Sequence, residues 1–164
     1  RENTRKAGSR ESPEDKNKKR NAFRLNIDQK LGEIQSSPFF GRIVIGETEG
    51  TQHCCLTIDT IESALKSTHF LTRFGKDNAE IEAGTFDRGT NIATRDVLLP
   101  FLVDVFQHFK NELPDEWEQG HANNGILTIN HTIHALIRTI NDIIDHLVIP
   151  IKLNLKFSRY SNIV

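Results

Sequence analysis

The sequence predicts a helix-dominated α+β domain with a few short strands, and three observations predict it. Apolar residues recur at helical spacing in several long stretches. Two short runs rich in branched and aromatic residues, at 39–45 and 53–58, are typical of strands. The chain has 164 residues, of which 37% are hydrophobic and 26% charged, so it is long enough to bury one core.

The most definite element is a long, central amphipathic helix over 130–148, with Asn130 as its N-cap. Its apolar residues recur at intervals of four, three, four and three, which places them on one stripe. The polar residues fall on the opposite arc and are expected to face solvent. The stripe consists of Ile133, Ile137, Ile140, Ile144 and Leu147, and the arc of His131, His134, Arg138, Asn141, Asp142 and Asp145.

Further helices are predicted on both sides of the strand candidates. The stretch 16–34 has apolar residues at helical spacing, and so has 92–111, where Pro100 predicts a kink or a restart. A helix over 59–69 is expected to be capped by Asp59, because Glu62 follows at the capping-box spacing. The segment 113–120 predicts one acidic helical turn that docks Trp117.

The strand candidates suggest simple pairings. The runs 39–45 and 53–58 enclose a turn at 46–50, so a β-hairpin is expected. Clean alternation of apolar and polar residues over 149–157 predicts a half-exposed strand after the long helix. The glycine-containing stretch 74–91 predicts a loop.

Charge is distributed unevenly along the chain. Residues 1–24 contain nine Lys or Arg against four acids, whereas the remainder contains 12 against 18. We therefore predict a disordered basic arm over 1–15 and a single domain over 16–164. Because the chain starts at Arg1 and contains no methionine, we expect it to be the C-terminal part of a longer protein.

Several locations and chemistries are not expected. No apolar run approaches the roughly 20 residues of a membrane span, and no signal peptide is recognisable. Cys54 and Cys55 form no disulfide framework, which favours a reducing, cytoplasmic location. His131 and His134 lie three residues apart, too few ligands for a zinc site. No nucleophile elbow or phosphate-binding glycine loop occurs, so catalytic residues, metals and cofactors are not predicted.

Basic residues are the remaining candidates for function. Outside the arm they are scattered, and no helix shows a dense basic stripe that would indicate a phosphate-binding face. The candidate phosphate contacts of the core are Arg42, Lys76, Arg88, Arg95 and Arg138.

Four sequence blocks resemble one family when they are taken together. They are SPFFGRI at 37–43, GTFDRGTN at 84–91, LPDEW at 113–117 and NNGILTINHTIHALIRTINDIIDHL at 123–147. In this order they resemble the C-terminal part of DGQHR-domain proteins, which include the DndB-like proteins of bacterial DNA phosphorothioation. The resemblance spans about residues 22–148. The Asp-Gly-Gln-His-Arg motif itself does not occur in this chain, so the residues that name the family are not carried over.

The resemblance implies a DNA-associated regulatory or interaction module of a DNA-modification and phage-defence system. The expected partners are DNA, other subunits of such a system and a second copy of the chain. Two alternatives stay open. The first is an enzyme fragment whose site needs a missing N-terminal half, with Arg138, His134 or Asp87 facing a cleft shared between the halves. The second is an oligomerisation or scaffold domain. The chain alone is not expected to be an enzyme. The predicted nucleic-acid contacts are Arg88, Arg95, Arg138, Asn124 and Asn130.

Overall fold

The computed structural model describes residues 12–46, 49–75 and 79–160, without the side chains of 13, 123 and 148–160. Within these residues the fold is α+β and dominated by helices, as the sequence predicts. The helices are α1 (Pro13–Glu33), α2 (Ile58–Lys66), α3 (Asn91–Glu112), α4 (Pro114–Gln119) and α5 (Asn130–Tyr160), with a short 3-10 helix at Ala122–Asn124. The strands are β1 (Ile43–Val44), β2 (Leu56–Thr57), β3 (Arg73–Phe74) and β4 (Glu80–Glu82).

Helix α1 confirms the predicted N-terminal helix and begins earlier than expected. Ser12 is its N-cap, and the hydroxyl oxygen accepts a hydrogen bond from the backbone N–H of Asp15 at 3.2 Å. Pro13 occupies the first turn, where a missing N–H costs nothing. Residues 12–15, assigned to the arm from the sequence, therefore form the N-cap and first turn of α1, and residues 1–11 lie outside the described residues.

The core lies where α2 packs against both α1 and α5, and where α3 packs against α1 and α4. Two groups of aromatic rings fill it. Phe39 contacts Phe106 edge-on, with ring centroids 4.8 Å apart, and lies 5.6 Å from Trp117. The second group joins Phe70, Phe86 and Phe101. Trp117 is fully buried, which confirms the predicted docking of the acidic helical turn.

Helix α3 confirms the predicted helix at 92–111 and runs through Pro100 without a break in its assignment. Thr90 caps it, because its hydroxyl oxygen accepts the backbone N–H of Ala93 at 3.2 Å. Of the expected buried face, Leu98, Leu102 and Phe106 are fully buried. The helix thus presents one continuous apolar side to α1 and α4.

The predicted hairpin is wrong, because β1 and β2 pair in parallel. Ile43 is opposite Leu56 and Val44 is opposite Thr57. A hairpin turn reverses the chain, so a parallel pair requires a longer return, and the segment between the strands supplies it. The stretch 74–91, predicted as a loop, contains the antiparallel pair β3 and β4 in addition to its turns.

The predicted strand at 149–157 is also wrong, because α5 begins at Asn130 as expected and continues to Tyr160. Alternation of apolar and polar residues satisfies the strand pattern locally, but a strand needs a neighbour to accept its hydrogen bonds. Extending an existing helix adds one hydrogen bond per residue without a new nucleus. Leucine and lysine, which recur in this stretch, are also good helix formers.

Two further predictions, one about capping and one about exposure, fail because polar groups contact elements that are distant in the sequence. Helix α2 is capped by Thr57 and not by Asp59, and its first polar groups bind side chains of other helices. Asn141, predicted on the solvent side of α5, is 5% exposed. Its side-chain oxygen accepts the backbone N–H of His69 at 2.8 Å, just after the end of α2. Among the described residues, no helix has the length and apolarity needed to cross a bilayer.

The apolar stripe of α5 allows a test of the core. Ile137 is 1% exposed, whereas Ile143, on the same helix, is 53% exposed. We expect Ile137→Ala to lower the free energy of unfolding by about 2–5 kcal/mol, because it leaves a cavity against α2. Ile143→Ala, the control, is expected to change it by about 0.5 kcal/mol or less. Urea unfolding measures both, and equal losses would contradict the placement of the stripe.

Candidate nucleic-acid interface

A groove lined by basic side chains runs beside α1. Three adjoining depressions open along it, and all three use residues of α1 as one wall. Their linings, which belong entirely to the described residues, contain six cations and one carboxylate, that of Asp87. We call this surface the basic groove, and its cations are Lys19, Arg20, Arg24, Lys66, Arg73 and Arg95.

The arginines of α1 have no directly paired carboxylate among the described residues, although the negative charge of Glu62 acts on Arg24. Arg20 and Arg24 are four residues apart, so both lie on the same side of the helix. Each donates to a neutral amide on the same helix: Arg20 to Asn17 at 3.1 Å and Arg24 to Asn21 at 3.3 Å. No carboxylate in the described ranges forms an ion pair with either guanidinium. The groove is therefore electropositive at its centre.

The most enclosed depression, which we call the central cavity, has a volume of about 190 Å³. It lies between α1, β3 and the start of α3, and both α1 arginines line it. Apolar walls come from Phe23, Leu71 and Phe74. The guanidinium carbon of Arg20 lies 3.7 Å from the ring centroid of Phe74, a cation–π contact at the edge of the cavity.

The loop at 84–91 closes one side of the central cavity as a structured turn. The Asp87 carboxylate accepts hydrogen bonds from the Thr72 hydroxyl and from the backbone N–H of Gly89, the latter at 2.6 Å. These two hydrogen bonds, with the positive charge of Arg88, hold the pKa of Asp87 below its ordinary value. Because the carboxylate is ionised and occupied within the loop, it fixes the turn that leads into α3.

Two of the five predicted contacts lie near this groove. Arg95 is one of its cations, and its guanidinium also pairs with Asp96 at 3.0 Å. Arg88 is exposed in the loop before α3, and its guanidinium donates to the backbone carbonyl of Asp87 at 2.8 Å. Both remain accessible to solvent.

The other three predicted contacts lie elsewhere, and none of them lines the groove. Arg138 is exposed on α5, and Asn124 is exposed in the 3-10 helix with a φ of 62°. Asn130 accepts hydrogen bonds from the backbone N–H of Thr57 at 3.0 Å and from the Thr60 hydroxyl at 2.7 Å. Its side chain therefore joins α5 to the start of α2.

Arg42, counted from the sequence among the phosphate contacts, is not available for that role. Its side chain is buried, forms an ion pair with Glu118 and lies over the ring of Trp117 at 5.9 Å. It is a structural cation that holds α4 against the strand region. Lys76, the other candidate outside the predicted site, lies outside the described residues.

The histidines and cysteines contribute to no group of three metal-ligating side chains in the part of the chain that the structure describes. His131 is exposed and His134 half-buried. Cys54 is buried. The thiol of Cys55 donates to the carbonyl of Thr128 at 3.3 Å, and burial raises its pKa above the ordinary value. A thiol of this kind is a poor nucleophile at neutral pH.

A polar cluster that sequence reasoning missed lies at the far side of α2. The Nδ1 atom of His69 is 3.0 Å from the Asp145 carboxylate, which also accepts a hydrogen bond from the Asn141 side chain. On the other edge of the His69 ring, the Nε2 atom is 3.2 Å from a guanidinium nitrogen of Arg73. The cluster joins two pairs, His69 with Arg73 and Asn141 with Asp145, that are far apart in the sequence, so no local pattern could have indicated it.

No protein-family model, curated protein or solved structure matches this chain.

The most perturbed acid of the domain is Asp28 on α1. Its side chain is fully buried, and one carboxylate oxygen accepts the backbone N–H of Glu62 at 2.7 Å. The other oxygen has no hydrogen-bond partner. Burial raises the pKa of Asp28 to about 8. The negative charges of Glu62 and Asp59 raise the pKa further, whereas the backbone hydrogen bond from Glu62 lowers it. The carboxyl group is therefore neutral in the folded protein at pH 7.

Asp28→Asn should make stability less dependent on pH. Because the pKa is about 8 when folded and near 4 when unfolded, the wild type loses stability as pH rises from about 4 to about 8. The amide stays neutral and can still accept the Glu62 N–H. Urea unfolding at pH 5 and pH 8 should show the variant gaining up to about 4 kcal/mol relative to wild type. Asp104→Asn, an exposed site on α3, is the control; parallel behaviour of Asp28→Asn and wild type would contradict the assignment.

Proposed function

We propose that this chain is a DNA-associated interaction module that contacts the phosphate backbone through the basic groove. We place it in a DNA-modification and phage-defence system of the DGQHR and DndB-like kind, on the strength of the four sequence blocks described above. The observation that supports the DNA contact is the imbalance of charge in the groove, with six cations against one carboxylate among its described lining.

The electrostatics of DNA favour this surface over the rest of the domain. Residues 25–164 contain more acids than bases, so a general attraction by net charge is not available. Binding to DNA gains free energy when Lys and Arg replace condensed counterions at successive phosphates. The cations of the groove come from α1, α2, β3 and α3 and surround one connected set of depressions. Arg88, exposed beside the groove, extends it toward the start of α3.

The groove can be tested by removing charge at its rim. Lys66 is exposed and Arg73 has a half-exposed side chain, so the double variant Lys66→Ala/Arg73→Ala should fold. We expect its affinity for a duplex to fall at least tenfold at low salt. The slope of log affinity against log salt concentration should become shallower by about one per lost phosphate contact. Fluorescence anisotropy of a labelled duplex across a salt series measures both quantities.

Lys30→Ala provides the matched control, because Lys30 is on α1, half-exposed and outside the groove. It should leave the affinity and the salt slope unchanged. Arg138→Ala separates the groove from the contact predicted on α5, and under this proposal its effect is smaller than that of the double variant. A wild-type affinity that does not depend on salt, or equal losses in Lys30→Ala and the double variant, would rule out the groove.

A second candidate function is self-association through α5. Ile143 and Leu147 are 53% and 59% exposed, although α5 buries other apolar residues such as Ile133 and Ile137. Exposed apolar side chains at helical spacing are typical of helix-pairing surfaces. Sedimentation velocity at two protein concentrations tests this: a concentration-dependent increase that Ile143→Asp abolishes supports it, and a constant monomer contradicts it.

A further inference from the structure

The central cavity combines a cationic wall with aromatic surface. The guanidinium groups of Arg20 and Arg24 share it with the rings of Phe23 and Phe74. Phe74 is 37% exposed, and Arg20 already stacks on its ring, so the pair forms a flat platform at the opening. A ligand that matches both features carries an oxyanion and a planar ring. Phosphodiester backbone in a duplex offers only the first of these, because its bases are stacked and paired.

Arg24 has an unmet hydrogen-bond donor near this cavity. Its Nε–H is buried and has no acceptor, while its Nη1 donates to Asn21. Burial also lowers the pKa of the Arg24 guanidinium from its ordinary value. This Nε–H lies beneath the surface, so the part of Arg24 that a ligand in the cavity can contact is the rest of its guanidinium group. Phosphate oxygens accept from guanidinium groups in a fork geometry that suits such a site.

Asp87 restricts where the oxyanion can lie. It is the one carboxylate of the lining, and among the described residues it forms no ion pair with Arg20 or Arg24. The opposite charges are therefore separated within the cavity. A phosphate is attracted to the arginine wall and repelled from the Asp87 side, which leaves room for one phosphate and a neutral group.

Resting on the DNA contact proposed above, we infer that the central cavity binds a single unstacked nucleotide of a DNA strand, with its phosphate on Arg20 and Arg24 and its base against the Arg20–Phe74 platform. Bases that leave the stack are bound on aromatic and guanidinium surfaces in many nucleic-acid proteins. The cations of the surrounding groove would hold the flanking backbone. The protein would then prefer DNA that contains an unpaired nucleotide to fully paired DNA.

The test compares three labelled DNAs: a perfect duplex, the same duplex with one bulged 2-aminopurine nucleotide, and the corresponding single strand. We expect the bulged duplex and the single strand to bind roughly 5- to 100-fold more tightly than the perfect duplex, the range typical of stacking one base. The fluorescence of 2-aminopurine should fall on binding. Excess free deoxyadenosine monophosphate distinguishes a strand from a free nucleotide, and it should compete only weakly.

Phe74→Ala isolates the platform, because it removes the ring without changing any charge. It should abolish the preference for the bulge and leave the salt slope of wild type. Ile81→Ala is the matched control, since Ile81 is 66% exposed on the neighbouring strand and does not line the cavity. Arg24→Lys keeps the charge but removes the planar guanidinium fork that suits phosphate oxygens, and it should also reduce the preference.

The failures of this inference and of the proposed function are distinguishable. Equal affinity of wild type for the perfect and bulged duplexes, with a steep salt slope, overturns the nucleotide site and leaves the backbone contact intact. A preference that survives Phe74→Ala overturns it as well. Free nucleotide that competes as strongly as the single strand overturns the assignment to DNA. If none of the three DNAs binds, both the proposed function and the nucleotide site are wrong.

Discussion

The packing of this domain depends on how the backbone N–H groups at both ends of α2 are satisfied. Asn130, on α5, accepts from Thr57 at the N-terminal end, and Asn141, on the same helix, accepts from His69 beyond the C-terminal end. Asp28, on α1, accepts from the N–H of Glu62 between them. The N–H groups of Glu62 and His69 are part-buried, and an unpaired buried donor costs roughly 1–3 kcal/mol, so the hydrogen bonds to Asp28 and Asn141 favour the packing of α2 against α1 and α5. Three polar side chains thereby determine the relative positions of three helices.

The basic groove follows from that arrangement. Helix α1 turns Ile27 and Leu31 into the core, which leaves its preceding turns free to face β3 and the start of α3. Arg20 then meets Phe74, and Arg24 borders the central cavity. A change that shifted α1 along α2 would therefore alter the charge distribution of the groove without touching any residue that lines it.

Local pattern predicted the helices well and the long-range contacts poorly. The isoleucine spacing of α5 and the docking of Trp117 could be predicted because each depends on neighbouring residues. The parallel pairing of β1 and β2 could not, since strand direction is decided by the chain between the strands. Local alternation at 149–157 gave the wrong element, because the pattern does not show that the helix predicted over 130–148 continues beyond its predicted end. Asn141 and Arg42, polar residues on expected surfaces, are buried by partners distant in sequence.

The candidate site shows the same contrast between features that local sequence predicts and contacts that form between distant segments. Of the groove cations, only Arg95 belonged to the predicted contacts, because the others come from three separate segments and share no local motif. The loop predicted over 74–91 from its glycines does include an irregular segment between β4 and α3, although β4 lies within it. The role of this irregular segment as a wall of the central cavity depends on the Thr72–Asp87 hydrogen bond, which links two segments that sequence analysis treated separately.

The protonated carboxyl of Asp28 has a calorimetric consequence. Because the folded chain retains a proton at this group near pH 6 and the unfolded chain does not, unfolding releases about one proton to the buffer. The heat of that transfer adds to the measured enthalpy of unfolding. Scans in buffers with different ionisation enthalpies should therefore give different apparent enthalpies for the same structural transition. The dependence of the apparent enthalpy on the buffer's ionisation enthalpy gives the net number of protons that this domain binds when it folds.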